Sequence, residues 1–225
     1  MSQSAPAMED STALRLRVIE TGCAINRAGI NVNKSGNVSA RCTRGTHAGA
    51  VLTPTALPFE SLAAEDIVVL RLADGHCSGR REPSSEWRFH RDIYVARPEF
   101  GAIVHTHSRA ATALACHGLG LPAFHYMIAS AGGNDIRCAP YATFGTQELS
   151  DHAVAALAGR KACLLAQHGV IACETTLERA LALAIEVEHL ARIYITARQF
   201  GEPQRLSSEE MARVLSKFER YGRAD

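Results

Sequence analysis

The chain has 225 residues, 47% apolar and 21% charged, which suits one domain with a substantial core. Its 24 basic and 23 acidic residues leave a net charge of +1, so composition offers no case for nucleic acid or an anionic membrane as partner. No apolar run reaches the roughly 18 residues of a membrane span, and the first ten residues lack a signal-peptide pattern, so a cytoplasmic protein is expected.

Residues 1–10 read as a frayed tail, within a single domain spanning 1–225. From Asp10 and Ser11 a helix carries Leu14, Val18 and Ile25 on one face and ends near Gly29, at the C′ position. The polar run 31–40 reads as a turn. Its backbone N–H groups, with Lys34 and Ser35, can face an anion, although composition alone favours a solvated connection. Residues 48–52 and 67–72 read as strands, separated by the rigid Thr53-Pro54-Thr55-Ala56-Leu57-Pro58, and Asp74-Gly75 as a hairpin turn. A serine after Pro83 suits an N-cap and places Glu86 in the first turn of a helix that buries Phe89, Ile93 and Ala96.

Residues 102–107 read Ala-Ile-Val-His-Thr-His. Side chains i and i+2 of a strand share a face, so His105 and His107 would present two imidazoles together. Ser108 is expected to cap the next helix, and His117 and His125 read as loop or core histidines. After a strand at 136–139 and a helix ending near Leu157, residues 162–166 form a buried strand whose Cys163 behaves as a small hydrophobe. The seven cysteines are scattered without a CxxC pair, which excludes zinc-finger and thioredoxin patterns and points to a reducing compartment. His168 ends this strand beside Gly169 and can reach another strand's site. Thr175 with Glu178, and Ser207 with Glu210, read as capping boxes of the last two helices. Strands joined by short turns alternate with helices, so the expected architecture is α/β. It is a three-layer α/β/α domain with a mixed, largely antiparallel central sheet.

His105, His107 and His168 with Glu86 make a chemically sensible zinc set. A glutamate displaced from such an ion is placed to move a proton on the carbon beside a metal-polarised carbonyl. Ser84, Ser85 and a helix N-terminus suit a phosphate, and they equally suit plain capping. No HExxH, GxGxxG, Walker loop or GxSxG occurs.

The chain resembles the class II aldolase/adducin family over nearly all of residues 11–222. The motifs that carry the resemblance run in order from Ser35-Gly36-Asn37-Val38-Ser39 and Thr53-Pro54-Thr55 to Pro83-Ser84-Ser85-Glu86-Trp87-Arg88-Phe89-His90 and Val104-His105-Thr106-His107. They continue through His125-Tyr126-Met127-Ile128-Ala129, Ala139-Pro140-Tyr141-Ala142-Thr143-Phe144-Gly145-Thr146 and Gln167-His168-Gly169. The resemblance implies zinc-dependent, reversible cleavage of a ketose 1-phosphate, L-fuculose 1-phosphate or similar, to dihydroxyacetone phosphate and an aldehyde. It implies one Zn2+ per subunit on His105, His107 and His168, with Glu86 bound at rest and acting as acid/base. Phosphate would sit on Gly36, Asn37, Thr55, Ala56, Ser84 and Ser85. Tyr126 and Tyr221 would serve the aldehyde end and its protonation, in a homotetramer with sites between subunits. Ala56 stands where the family carries glycine, so some change of loop shape is expected.

Three other readings share these residues. One is cleavage of 5-deoxyribulose or methylthioribulose 1-phosphate. Another is 4-epimerisation of L-ribulose 5-phosphate, and the third is an adducin-like assembly module without chemistry, whose mark would be missing ligands. None is missing here.

Overall fold

The computed structural model describes residues 8–218. Nine strands form one sheet: β1 (Met8–Glu9), β2 (Asn37–Arg44), β3 (His47–Leu52), β4 (Val68–Arg71), β5 (Cys77–Ser78), β6 (Ala102–Thr106), β7 (Arg137–Ala139), β8 (Ala162–Leu165) and β9 (Gly169–Glu174). Their order is β5-β4-β3-β2-β6-β9-β8-β7, with β1 paired to β2. The β1–β2 and β7–β8 pairs are parallel and every other pair is antiparallel, so the sheet is mixed and largely antiparallel.

Strand alternation divides the core in two. Ala102 and Val104 of β6 face a layer built by α1 (Thr12–Arg27), α3 (Arg109–Ala115), α5 (Leu177–Arg198) and α6 (Ser208–Phe218). Ile103 faces the opposite layer, built by α2 (Trp87–Ala96) and α4 (Gln147–Ala156). The result is the expected three-layer α/β/α arrangement, with β6 and β9 buried on both faces at its centre.

Several local expectations are corrected. Met8 and Glu9, expected in a frayed tail, pair with Cys42 and Thr43, and Asp10 is bound to Arg15 at 2.7 Å. The serines after Pro83 do not cap α2; Glu86 holds that position without a side-chain capping bond. Tyr94, rather than Ala96, completes the buried face of α2. Ser108 makes no capping bond either. The buried carboxylate of Glu188 on α5 instead accepts the Ala110 and Ala111 N–H groups at 3.0–3.1 Å. At α5 the cap is Thr176, not Thr175. Ser207 does cap α6, accepting the Glu210 N–H at 3.2 Å.

Candidate metal centre

Three chain segments converge on one buried point beneath α2. Alternation sends His105 to the face of Ile103, toward α2, and it is fully buried. His107 follows one residue after the end of β6 and joins it from the turn. His168 sits in the tight turn between β8 and β9, where Gln167 takes a φ of 55° and the His168 N–H donates to the Leu165 carbonyl at 3.1 Å. Gly169 must be glycine here: a Cβ would overlap the Thr106 carbonyl oxygen and lie 2.9 Å from His107 Cδ2. Glu86, 5% exposed, enters from directly before α2.

The three imidazoles meet pairwise at ring-centroid distances of 4.9–5.0 Å. Each offers a ligand nitrogen, and these nitrogens lie within 4.8 Å of one another. His105 Nδ1 is 2.9 Å from the Val170 carbonyl oxygen. A carbonyl only accepts, so Nδ1 carries the proton and Nε2 presents a lone pair. That Nε2 faces His107 Nε2 at 3.1 Å and Glu86 Oε2 at 3.2 Å. His168 Nε2 is 3.1 Å from Glu86 Oε1, an oxygen that receives no well-aligned hydrogen bond. With a neutral His105, the Nε2 lone pair faces the Glu86 carboxylate, two acceptors in a buried site. A cation among them resolves the conflict, and a histidine whose second nitrogen donates to a backbone carbonyl is the usual form of an oriented metal ligand. The residues therefore fit a metal ion.

Electrostatics agree with this assignment. Burial raises the Glu86 carboxyl, but positive charge at the His105 and His168 rings outweighs it and holds the group well below the usual carboxylate range, as a cation held by the same nitrogens would. Burial, then the neighbouring His105 and His168, hold His107 down to about 3, so its imidazole is a free base at neutral pH.

A cavity of about 380 Å³ opens onto Glu86, His107 and His168. Its lining includes Lys34, Ser35, Thr55, Ala56 and Ser85, a largely polar set with one cation that suits an anion. The lining also includes Tyr141 and Phe144, which are 57% and 64% exposed and leave an apolar rim. Arg88 ties this rim to α2 by donating to the Gly145 carbonyl at 2.6 Å.

The expected phosphate residues separate into two groups. Thr55, Ala56 and Ser85 line the cavity. Ala56 has a φ of 57°, the left-handed conformation that glycine takes freely. Ala56 thus holds a conformation that favours glycine. Ser84 is buried, with its Oγ accepting the Glu86 N–H at 3.3 Å. Asn37 is buried as well, and its side-chain amide serves Glu86 and His90, at 2.9 and 2.6 Å. Gly36 runs so close to β6 that a Cβ would lie 2.7 Å from the His105 carbonyl oxygen. Tyr126 is 52% exposed at the start of a 3-10 turn (Tyr126–Ala131) and does not line the cavity. Tyr221 lies outside the described residues. His117 is exposed, and His125 Nδ1 accepts the Met127 N–H.

Sequence reasoning gave no role to His90, Tyr141 or Phe144. The signal for His90 is its spacing: Glu86, Phe89, His90, Ile93 and Tyr94 follow the i, i+3, i+4, i+7, i+8 rule and lie on the buried face of α2.

Residues 17–195 match the family model described as Class II Aldolase and Adducin N-terminal domain. The chain is 51% identical over 210 residues to a 5-methylthioribulose-1-phosphate/5-deoxyribulose-1-phosphate aldolase of Rhodospirillum rubrum, covering 93% of each chain. It is 49% identical over 210 residues to the L-fuculose phosphate aldolase of Escherichia coli, covering 93% of this chain and 95% of that one. A solved L-fuculose 1-phosphate aldolase superposes with a TM-score of 0.88 at 40% identity, over 93% of this chain and 97% of that chain. The chain belongs to the class II aldolase and adducin family, and within it to the aldolases.

Proposed function

We propose that the protein is a zinc-dependent, one-domain aldolase that cleaves a ketose 1-phosphate reversibly to dihydroxyacetone phosphate and an aldehyde. The observation that carries this reading is the convergence of His105, His107, His168 and Glu86 beside a cavity whose lining suits a phosphate. His105, His107 and His168 would hold the ion, with Glu86 as a fourth, displaceable donor; three nitrogens and one oxygen suit zinc. When bound, zinc would supply Lewis-acid polarisation of the ketose carbonyl and of the neighbouring hydroxyl oxygen.

The remaining chemistry falls to side chains. Ser85, Thr55 and the backbone at Ala56 would bind the phosphate, with Lys34 supplying charge; Gly36, Asn37 and Ser84 would shape that lining from behind. Glu86 would give a proton to C3 of the dihydroxyacetone phosphate half as the C3–C4 bond breaks. In synthesis it would take that proton back. Tyr126 and Tyr221 would handle the proton of the C4 oxygen. The exposure of Tyr126, away from the cavity lining, supports its service to a neighbouring subunit's site in a homotetramer. Among the described residues all seven cysteines are free and no helix is long and apolar enough to cross a membrane, which supports a reducing, cytoplasmic setting.

For the aldehyde end, the apolar rim of Tyr141 and Phe144 supports a product with a short, weakly polar tail. L-Fuculose 1-phosphate meets this requirement. So do 5-deoxyribulose and methylthioribulose 1-phosphates, the substrates named for the 51% identical relative. The deciding experiment compares kcat/KM for these three sugars on zinc-loaded protein, with dihydroxyacetone phosphate as the readout. At least one should release it. Release from none would overturn the aldolase reading, and a returned epimer of L-ribulose 5-phosphate would assign a 4-epimerase instead.

A further inference from the structure

A buried file of polar groups runs away from Glu86 behind the cavity, and the reaction described above makes no use of it. Asn37 Nδ2 donates to Glu86 Oε2 at 2.9 Å. Asn37 Oδ1 lies 2.6 Å from His90 Nε2, His90 Nδ1 lies 2.7 Å from Ser39 Oγ, and Ser39 Oγ lies 2.9 Å from the Tyr94 hydroxyl. Among these groups Asn37 is 4% exposed, Tyr94 is 1% exposed, and Ser39 and His90 are completely enclosed.

The donors in this file can be oriented in one way. A carboxylate accepts only, so Asn37 must turn its NH2 toward Glu86 and its carbonyl toward His90. That carbonyl then requires a proton on His90 Nε2. His90 Nδ1 is left as an acceptor for the Ser39 hydroxyl, and Ser39 Oγ accepts from Tyr94. Phe89 stacks on the His90 ring at 4.6 Å, and α2 fixes both rings from one side. The opposite tautomer would flip Asn37 and place its carbonyl oxygen against the Glu86 carboxylate, two acceptors in a buried site.

We propose that His90 is a positioning residue for Glu86, acting through Asn37: its Nε2–H holds the Asn37 carbonyl, with Ser39 and Tyr94 completing the file behind it, and so fixes the amide that anchors Glu86 Oε2 and leaves Oε1 as the oxygen that moves the proton. The functional half of this statement rests on the reading of Glu86 as acid/base. The structural half does not. An oxygen already engaged by a fixed donor is the weaker base of the pair, and a carboxylate anchored at one oxygen can release the metal without losing its place beside the substrate.

The test has two arms. Long-range 1H–15N NMR on [15N]histidine protein, with and without zinc, reads the tautomer of His90, whose signals are assigned by their loss in His90→Gln. A neutral imidazole protonated at Nε2 is expected; protonation at Nδ1 overturns the proposal. The second arm compares His90→Leu with His90→Gln, since glutamine can donate to Asn37 and leucine cannot. His90→Leu should lower kcat about 10- to 100-fold, with KM within about threefold and zinc content unchanged. His90→Gln should recover most of that loss. Equal losses in both variants, or an effect confined to KM or zinc content, would overturn the proposal. If His90→Leu does not fold, His90→Phe takes its place, since a phenyl ring fills the site without an N–H: the same fall in kcat is expected, and an unchanged kcat overturns the proposal. Protein inactive on every ketose 1-phosphate would sink the aldolase reading, yet the NMR arm would still decide how His90 is held.

Discussion

The Nε2 atoms of His105 and His107 stand 3.1 Å apart, with the two rings at 79° to one another. His105 spends its only proton on the Val170 carbonyl, so a lone pair faces its neighbour. The same lone pair lies 3.2 Å from Glu86 Oε2, and β6, β9 and the turn at Gln167 hold the rings in this arrangement from behind. The protein maintains the ligand set before any ion arrives, which places most of the cost of metal binding in the folding of the sheet.

Zinc should therefore stabilise the folded chain markedly. At free zinc 100-fold above its Kd, linkage adds about 2.7 kcal/mol, or ~5–10 °C in Tm for a domain of this size. Calorimetry with and without a chelator measures the shift, and His107→Ala should abolish most of it. An equal shift in the variant would remove His107 from the ligand set.

Acid should destabilise the metal-free protein through His90. Burial chiefly holds this imidazole down to about 3 in the folded chain, against about 6.5 when unfolded. The unfolded state thus binds the extra proton, so His90's contribution is complete above pH 6.5 and is lost as pH falls toward 3. His90→Gln should flatten the pH dependence of unfolding free energy in that window by about 1.4 kcal/mol per pH unit. Urea titrations at several pH values read the slope; an unchanged slope would contradict a neutral, buried His90.

Ala56 carries a conformational cost at φ 57°. An L residue there forfeits about 1–2 kcal/mol, and glycine would return that while adding about 0.4–1 kcal/mol of unfolded-state entropy. Ala56→Gly should raise stability by about 0.5–1 kcal/mol, some 2 °C in Tm. A fall in Tm would mean that the alanine methyl makes a compensating contact.

Gly169→Ala should act on both strands at once. Its methyl would overlap the Thr106 carbonyl and press on His107, and neither β6 nor β9 can move independently. Overpacking of this kind costs about 1–3 kcal/mol, and zinc affinity should fall with it. Equal Tm and zinc content in the variant would show that the turn has slack.

Much of this centre was legible in the chain. The period-two spacing of His105 and His107, the strand end at His168 and the run around Glu86 each follow from local patterning. The three-layer architecture follows from alternating elements and short turns. What local reasoning lost depends on residues far apart in sequence. Glu188 caps a helix 77 and 78 residues earlier in place of Ser108, and no pattern around Ser108 announces it. The parallel β7–β8 pair and the β1 edge depend on which strand lies alongside, not on their own composition. Asn37 stood among the expected phosphate residues through the family resemblance alone. Its burial behind Glu86 appears only when β2 is set beside β6. Ala56 shows the converse case: the sequence exposes an unusual residue, and only the backbone shows the left-handed conformation that it holds.

The central claim is that Glu86 moves a proton at C3 of dihydroxyacetone phosphate beside a three-histidine metal site. The most direct measurement is 1H NMR of dihydroxyacetone phosphate alone in D2O with zinc-loaded protein. One C3 hydrogen should exchange, with exchange lost on chelation, restored by zinc, and slowed about 10²–10⁴-fold in a folded, zinc-bound Glu86→Gln variant. Exchange at the wild-type rate in that variant, or none in the zinc-loaded wild type, would contradict that claim.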